Sequence, residues 1–460
     1  MSSLRLAFCS PLPPERSGIS EYSVQLLTAL EPHFGEVRLF SSRAEDVSAE
    51  IRRRHVVASL DDLPRWADRD ATLYQIGNEP RFHGAIYEMA LREPGVVVLH
   101  EYMLQHLIRG ITVDRRRSRD YIATMRNVYG EQGDLAARRF LRTGAARDLW
   151  AYPLFEPIVD ASRGVIVHNE TTRDRILRSR PNASVKVIAP PLYEDSVFRE
   201  LSGEERSQIR HELGVPQDAF LVGSFGLMSE AKRLEVAVDA FQRFRQVHPE
   251  ALYYLVGDAS PYLGLESLLR GPQGEGVVAT GRQEMPNFLR YMQTTDVAVN
   301  LRHPSGGETS ATALRLLGMG KPVVVSDTGW LGEIPNDAVV KVAVDDREAQ
   351  SLLAALWTLA EEPELRLRLG ANARSWALAQ HAPDLAADRY IQAIQRLSSR
   401  EPRRSASWLD RAIAGPSPDV TERIVGEVGE ALFDLGAEES EDEILGETAV
   451  ALEDVGFARA

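Results

Sequence analysis

The stretch from Asn300 to Pro335 constrains the fold most, because its pattern is that of one strand–loop–helix–strand unit. An apolar run predicts a strand over Asp296–Leu301, and a Gly-rich turn follows at Ser305–Gly307. The spacing then predicts a helix over Thr309–Met319 and a further strand that begins at Val323. A Gly turn that enters a helix offers N–H groups to an anion, most commonly phosphate, although a capped turn without a ligand fits the same pattern.

The same alternation of strands and helices recurs along the chain and predicts parallel sheets with right-handed crossovers. At 460 residues the chain is too long for one core, and the prolines at 190 and 191 separate two such series. We therefore expect an α/β fold of two domains with a cleft between them. The predicted parts are residues 1–190 with an Arg-rich helical insertion at 106–150, residues 191–384, a helix at 385–400 with the option of returning to the first domain, and a tail at 401–460.

Charge is distributed unevenly, and the tail carries most of it. The net charge is −14, while residues 401–460 hold 15 Asp or Glu against 5 Arg, a balance of −10 that leaves −4 for residues 1–400. The tail is predicted to be a peripheral helix or a partly disordered segment that recruits a partner. The main body has no basic, aromatic-interleaved surface, so we expect no nucleic-acid partner.

The sequence also favours a cytoplasmic location. No apolar run approaches the roughly 18 residues of a membrane span, and the N-terminus lacks the apolar core of a signal peptide. Cys9 is the single cysteine, which excludes an intrachain disulfide and a Cys-based metal site. Peripheral contact of the protein with the inner face of a membrane is compatible with this prediction.

Polar side chains follow two strands of the predicted first domain at the point where each strand ends. Asn78 follows Leu73–Ile76, while His100 and Glu101 follow Val96–Leu99. Ligands of open parallel sheets bind at this edge. Asn78 and Glu101 are therefore candidates for a ligand-binding site in the first domain.

The Arg-rich insertion has two interpretations. Residues 106–150 hold ten Arg against five Asp or Glu and include Arg115 and Arg116. A solvated helical surface fits this composition. A positive wall that faces an anionic acceptor or an anionic membrane surface fits it as well.

The motifs of the chain resemble, in order and spacing, those of the retaining glycosyltransferases of family 4. The motifs are Gly226–Lys232, Leu255–Gly257, Gly281–Asp296 and Gly306–Val325, and the likeness covers roughly residues 4–400. It implies the GT-B architecture, in which two Rossmann-like domains with parallel sheets face an interdomain cleft. It also implies a hexosyltransferase-type enzyme that moves a sugar from a nucleotide-sugar to an acceptor hydroxyl with retention of configuration. No metal and no cofactor are implied beyond the nucleotide-sugar co-substrate, and the expected setting is polysaccharide or glycoconjugate biosynthesis with an acceptor that is anionic or lipid-linked.

The resemblance further implies roles for individual residues. Lys232 matches the lysine that binds the donor diphosphate, where a cation stabilises charge on the leaving group. His100 matches a histidine near the reacting sugar, and Glu308 is the third catalytic candidate. The resemblance thereby implies that Asn78 and Glu101, in the same domain as His100, lie on the acceptor side. Contact with the donor is implied for residues at or beside the family's motif positions: Gly18, Gly226, Arg233, Gly281, Arg282, Gly306, Gly307, Thr309, Ser310 and Arg315.

The sequence departs from the family pattern at two places. Family members usually carry two glutamates with seven residues between them, but here Arg315 occupies the second position and Glu308 lies one residue beyond the first. An arginine cannot accept hydrogen bonds from ribose hydroxyls. The arginine expected five residues before Lys232 is Leu227, and whether Arg233 replaces it is open.

Three hypotheses on function follow. Retained transferase activity is favoured, because Lys232, the Gly-rich loop, Glu308 and His100 all persist. A catalytically impaired GT-B binding or scaffold protein with a partner-recruiting tail is the first alternative. A GT-B phosphorylase or epimerase is the second.

Overall fold

The computed structural model describes residues 4–15, 17–192, 198–199 and 201–402, so nearly all of the predicted acidic tail lies outside the described residues. The described chain divides into two compact units. The first contains residues 4–167, 173–186 and 390–402, and the second contains residues 168–172 and the described part of 187–389.

The first unit is built on a seven-stranded sheet. Its strands are β1 (Arg5–Cys9), β2 (Glu36–Ser41), β3 (Val56–Ser59), β4 (Ala71–Ile76), β5 (Val96–Leu99), β6 (Gly164–Val167) and β7 (Val185–Val187). The helices before the second sheet are α1 (Gly18–Leu30), α2 (Ala49–Arg54), α3 (Pro80–Arg92), α4 (Gln105–Ile111), α5 (Ser118–Thr143), α6 (Glu156–Ala161) and α7 (Glu170–Ser179).

The strand order of this sheet is β3-β2-β1-β4-β5-β6-β7. The pairs from β3 to β6 are all parallel. Strands β4 and β5 are buried along their whole length. Strands covered by helices on both faces read as continuous apolar runs, which explains why the sequence indicated them clearly.

The second unit is built on a six-stranded parallel sheet. Its strands are β8 (Leu221–Phe225), β9 (Leu252–Val256), β10 (Val277–Gly281), β11 (Val297–Asn300), β12 (Val323–Ser326) and β13 (Val340–Val342). The remaining helices of the chain are α8 (Gly203–Glu212), α9 (Leu234–Arg245), α10 (Leu265–Leu268), α11 (Met285–Thr294), α12 (Ala311–Gly318), α13 (Gly329–Glu333), α14 (Glu348–Glu361), α15 (Pro363–Gln380) and α16 (Pro383–Ser398).

The order of the second sheet, β10-β9-β8-β11-β12-β13, repeats that of the first six strands of the first unit. All five of its neighbouring pairs are parallel. Val323 and Val325 pack into one apolar cluster and Val324 into another, because successive side chains of a strand point to opposite faces. The prediction of two parallel-sheet, Rossmann-like units is confirmed.

Some predicted bounds change. The helix predicted from Thr309 begins at Ala311, because Ser310 has an extended backbone and its hydroxyl accepts a hydrogen bond from the Ala313 N–H. Glu308 and Thr309 therefore belong to the loop before α12. The Arg-rich insertion is helical as predicted, but Gly130 adopts φ +65° and interrupts α5. Within the described ranges, no helix combines the length and the apolar character needed to cross a membrane.

Candidate functional site

The carboxyl ends of β8 and β11 lie side by side in the second sheet, where the strand order reverses. Ligands of doubly wound sheets bind outside such a switch point. Gly226 directly follows β8 and adopts φ +89°, with its N–H donating to the Val256 carbonyl at 2.9 Å. A Cβ atom at this position would lie 3.3 Å from Lys232 Nζ and 3.2 Å from Thr312 Cγ2. The glycine therefore sits where the lysine turn and the start of α12 come together.

Lys232 is buried at this edge. It ends a short 3₁₀ turn between β8 and α9, and its ammonium donates to the Phe225 carbonyl. Burial, with a smaller contribution from the charge of Arg302, lowers the pKa of Lys232 to about 7. Within the described residues the amine contacts a carbonyl and no carboxylate. A buried cation in this situation favours an added anion.

Arg302 is a second cation at this edge that the motif comparison did not identify. It follows β11, is four-fifths buried as a side chain, and its Nε lies 3.2 Å from Glu308 Oε1. The adjacent His303 N–H donates to the Ala231 carbonyl at 2.7 Å, which fixes this segment against the lysine turn. Two cations and one carboxylate thus leave a net positive charge. The sequence did show an arginine directly after the predicted strand, but the family pattern directed attention to position 227.

The Gly-rich loop is closed by its own hydrogen bonds. The Glu308 Oε2 atom accepts from the Gly306 N–H at 2.8 Å, and the Gly307 N–H donates to Ser305 Oγ at 3.2 Å. The Gly307 carbonyl accepts from Asn169 Nδ2 at 2.8 Å. These contacts hold Glu308 in place, and they also mean that a bound phosphate would have to exchange with them to reach the loop amides.

The start of α12 adds hydroxyl and amide groups. Ser310 Oγ lies 3.1 Å from Thr312 Oγ1, and Asn300 Nδ2 lies 3.3 and 3.1 Å from these two oxygens. The buried Asn300 Oδ1 atom has no hydrogen-bond partner in the described chain. Thr309 Oγ1 accepts from Asn169 Nδ2 at 3.1 Å. Because the first turn of a helix also has N–H groups without intrahelical acceptors, this corner can bind a polar anionic group.

The other predicted donor contacts in this unit lie in different settings. Arg233 pairs through Nε with the buried Glu348 of α14. Gly281 ends β10 with φ +64°, and exposed Arg282 lies 3.7 Å from Asp258. Arg315 is half-buried on α12, one turn beyond Thr312. Their roles toward a donor stay predictions.

In the first unit, His100 lies at the carboxyl end of β5. Its Nε2 atom is 2.8 Å from Gln75 Oε1, and its ring makes an edge contact with Tyr22 at a centroid distance of 5.0 Å. The Tyr22 hydroxyl lies 2.6 Å from the Tyr390 hydroxyl. Gln75 is fully buried, so it fixes the orientation of the histidine ring.

Asn78 and Glu101 meet at the same edge of the first sheet. The Asn78 N–H donates to Glu101 Oε1 at 3.1 Å, and Asn78 Oδ1 accepts from the Leu107 N–H at 3.0 Å. Gly18 is the first residue of α1 and faces open space, since a Cβ atom added there would have no other atom within 4 Å.

The two arginines of the insertion differ. Arg115 Nη1 lies 2.7 Å from Glu88 Oε1, a largely buried carboxylate. Arg116 is exposed and has a left-handed backbone with φ 58°. Only Arg116 of this pair presents its charge to solvent without an acidic partner among the described residues. Within the described ranges, no three His, Cys, Asp or Glu side chains cluster as metal ligands.

Comparison with known proteins identifies the fold. Anabaena Alr3699/HepE, solved in complex with UDP, superimposes with a TM-score of 0.62 at 16% identity, covering 85% of this chain and 100% of that chain. Sucrose-phosphate synthase from Thermosynechococcus elongatus gives a TM-score of 0.61 at 17% identity, covering 86% and 99%. The chain has the GT-B fold. Both units of the described structure agree with it.

The family model matches within the second GT-B unit. Residues 205–376 match the family model described as glycosyl transferases group 1. D-inositol 3-phosphate glycosyltransferase of Stackebrandtia nassauensis is 26% identical over 272 residues, which is 54% of this chain and 58% of that protein. The corresponding enzyme of Corynebacterium kroppenstedtii is 24% identical over 259 residues, or 51% and 55%. The chain thus spans little more than half the length of these curated relatives, and the similarities support a glycosyltransferase.

Proposed function

We propose that this chain is a glycosyltransferase that moves a sugar from a nucleotide diphosphate sugar to an acceptor hydroxyl with retention of configuration. One observation carries the proposal. At the switch point of the second sheet, buried Lys232 lies beside Arg302, and a single carboxylate, Glu308, accompanies the two cations. A diphosphate supplies the anionic charge that this corner lacks.

Different residues of the second unit contact the diphosphate and the sugar of the donor. Lys232 and Arg302 stabilise the charge that develops on the departing nucleoside diphosphate, and such fixed charges commonly contribute most to catalysis. Ser310, Thr312 and the first turn of α12 bind phosphate oxygens. Arg302 thereby takes the role for which the family pattern has an arginine at position 227. Glu308, aligned by Arg302 and Gly306, orders the hydroxyls of the donor sugar.

A uridine nucleotide is the proposed donor, because the structural neighbour with the same fold is described in complex with UDP and with UDP-glucose. An anionic acceptor is proposed on the first unit, where Arg116 offers a solvent-facing charge. The curated relatives are named for a phosphorylated acceptor, inositol 3-phosphate, which agrees with this chemistry.

The direct test is a panel of UDP-, GDP- and ADP-sugars, with donor hydrolysis and transfer to phosphorylated and neutral polyols measured by mass spectrometry. We expect turnover with a UDP-sugar, and loss of it in Lys232→Ala and Glu308→Ala. The anomeric proton coupling of the product, measured by NMR, reports retention or inversion. Wild-type rates in both variants would contradict the assigned roles, and loss of turnover in chelator would contradict metal independence.

A donor-binding protein without turnover is a second candidate. Glu308 accepts hydrogen bonds from Gly306 and pairs with Arg302, so its carboxylate is already satisfied inside its own loop. That arrangement also fits a purely structural glutamate. Micromolar UDP-glucose binding in calorimetry, with no transfer or hydrolysis over the whole panel, would favour this candidate, whereas phosphate-dependent turnover without a nucleotide would indicate a phosphorylase.

A further inference from the structure

A second group of cations lies at the opposite edge of the second sheet. A cavity of about 640 Å³ opens there, bounded by the residues that precede β11 and β12 and by α15. Five of its lining residues are basic and one is acidic: Arg199, Arg206, Lys321, Arg366, Arg374 and Asp296. Cavities of this size commonly hold ligands as large as a nucleotide.

The acidic residue of this cavity is already neutralised. One Asp296 oxygen pairs with Arg206, and the other accepts from Arg210 Nη2 and from the Leu221 N–H, each at 2.8 Å. Arg199 pairs with Glu205 outside the lining. Three cations of the lining remain, namely Lys321, Arg366 and Arg374, and none of them pairs with a carboxylate among the described residues.

Those three cations have no acidic hydrogen-bond partner within the described residues, although Arg366 also lies over the Phe220 ring, 5.6 Å from its centroid. Lys321 donates to the Gln293 and Thr295 carbonyls, and burial lowers its pKa to about 8. Arg366 donates to the Leu359 and Ala360 carbonyls at the end of α14. The guanidinium of Arg374 has no hydrogen-bond or ion-pair partner within the described residues, although the side chain is half-buried. Several cations gathered around one cavity with a single acidic lining residue repel one another, and a bound anion relieves that repulsion.

We propose that this cavity binds a small phosphorylated molecule at a site separate from the donor site, with Lys321, Arg366 and Arg374 as its cationic contacts. The phosphate meets the three charges, and the apolar part of the molecule lies against Met319, Leu367 and Leu378, which complete the lining. Arginine suits the task because its guanidinium binds phosphate oxygens in pairs.

The test measures binding of pyrophosphate, phenyl phosphate and inorganic phosphate to the full-length chain by calorimetry at low salt. All variants for these binding measurements are made in the Lys232→Ala background, which is called the parent. This background removes the buried cation of the donor edge, where the added anions would otherwise bind as well. We expect one site in this parent, about tenfold weaker in Arg374→Ala and closer to the parent in Arg374→Lys. Arg368→Ala is the matched control, because Arg368 is exposed on the same helix and does not line the cavity.

The outcomes distinguish a specific phosphate site from nonspecific attraction of anions to basic residues. Phenyl phosphate that binds severalfold tighter than inorganic phosphate supports the apolar wall, and weakening of binding above about pH 8 supports a role for Lys321. Equal losses in Arg374→Ala and Arg368→Ala, or no pyrophosphate binding to the parent, would overturn the proposal. Because the site lies apart from the lysine edge, Arg374→Ala keeps donor turnover, so failure here leaves the proposed transferase activity untouched. Thermal melts of every variant verify folding, and Arg366→Lys provides a second test if Arg374→Ala does not fold.

Discussion

The two sheets have the same strand order, but the polar groups at their carboxyl edges are arranged differently. In the first unit these groups pair with one another: His100 with Gln75, and Asn78 with Glu101. In the second unit Arg302 pairs with Glu308, whereas Lys232 donates to a backbone carbonyl and contacts no carboxylate among the described residues. Strand order therefore determines where a ligand can bind, and the charge left without a partner indicates which edge suits a diphosphate.

The largest expected effect comes from removing the buried cation of the second edge. Lys232→Ala should lower kcat/KM for UDP-sugar turnover by roughly 100- to 1,000-fold, the range found when a preorganised charge-stabilising group is lost. Steady-state kinetics measure the effect. Lys186→Ala, which changes a half-buried lysine in β7 of the first sheet, is the control and should keep the parent rate. Similar losses of kcat/KM in Lys232→Ala and Lys186→Ala would show that the buried lysine of the second edge has no special role in turnover.

Arg302→Ala tests whether this arginine replaces the one missing at position 227. We expect a loss of about 10- to 100-fold in kcat/KM, smaller than for the lysine because the side chain is less buried and Lys232 remains. Leu227 is 59% exposed, so a long side chain fits there. The double variant Arg302→Ala with Leu227→Arg should recover part of the loss. Leu227→Gln in the same background, which adds a polar side chain without charge, should recover none.

The fold was predictable because its central strands are buried on both faces, as the valines of β5 and β12 are. The short strands β3, β7 and β13 were missed, since three or four partly exposed residues carry no such pattern. The same limit applies to the site. Lys232 lies in a motif of fixed spacing, whereas Arg302 comes beside it only through the pairing of β8 with β11, residues far apart in sequence.

The lowered pKa of Lys232 predicts a pH dependence of donor binding. In the free protein the amine loses its proton near pH 7, and a bound diphosphate raises that pKa. The affinity due to this charge is therefore complete below about pH 7 and falls above it, by up to about tenfold per pH unit. Calorimetry with UDP-glucose, whose diphosphate stays ionised throughout, measures this. Lys232→Arg should bind with nearly constant affinity from about pH 7 to about pH 8.5, and a parallel decline in that variant would assign the titration elsewhere.

The smallest expected effect belongs to the first edge, where Gln75 positions His100. Gln75→Leu removes the 2.8 Å contact to the imidazole while keeping the buried volume similar. If the first unit serves the acceptor, this variant should raise the KM for acceptor or lower transfer by roughly three- to tenfold, as expected for the loss of one hydrogen bond of about 1 kcal/mol. The Kd for UDP-glucose should stay the same. Gln75→Glu keeps an acceptor oxygen for the ring and should restore most of the transfer. A change in the Kd for UDP-glucose as large as the change in transfer would show that His100 acts on the donor. Both edges would then bind the donor, and the first edge would not be an acceptor site.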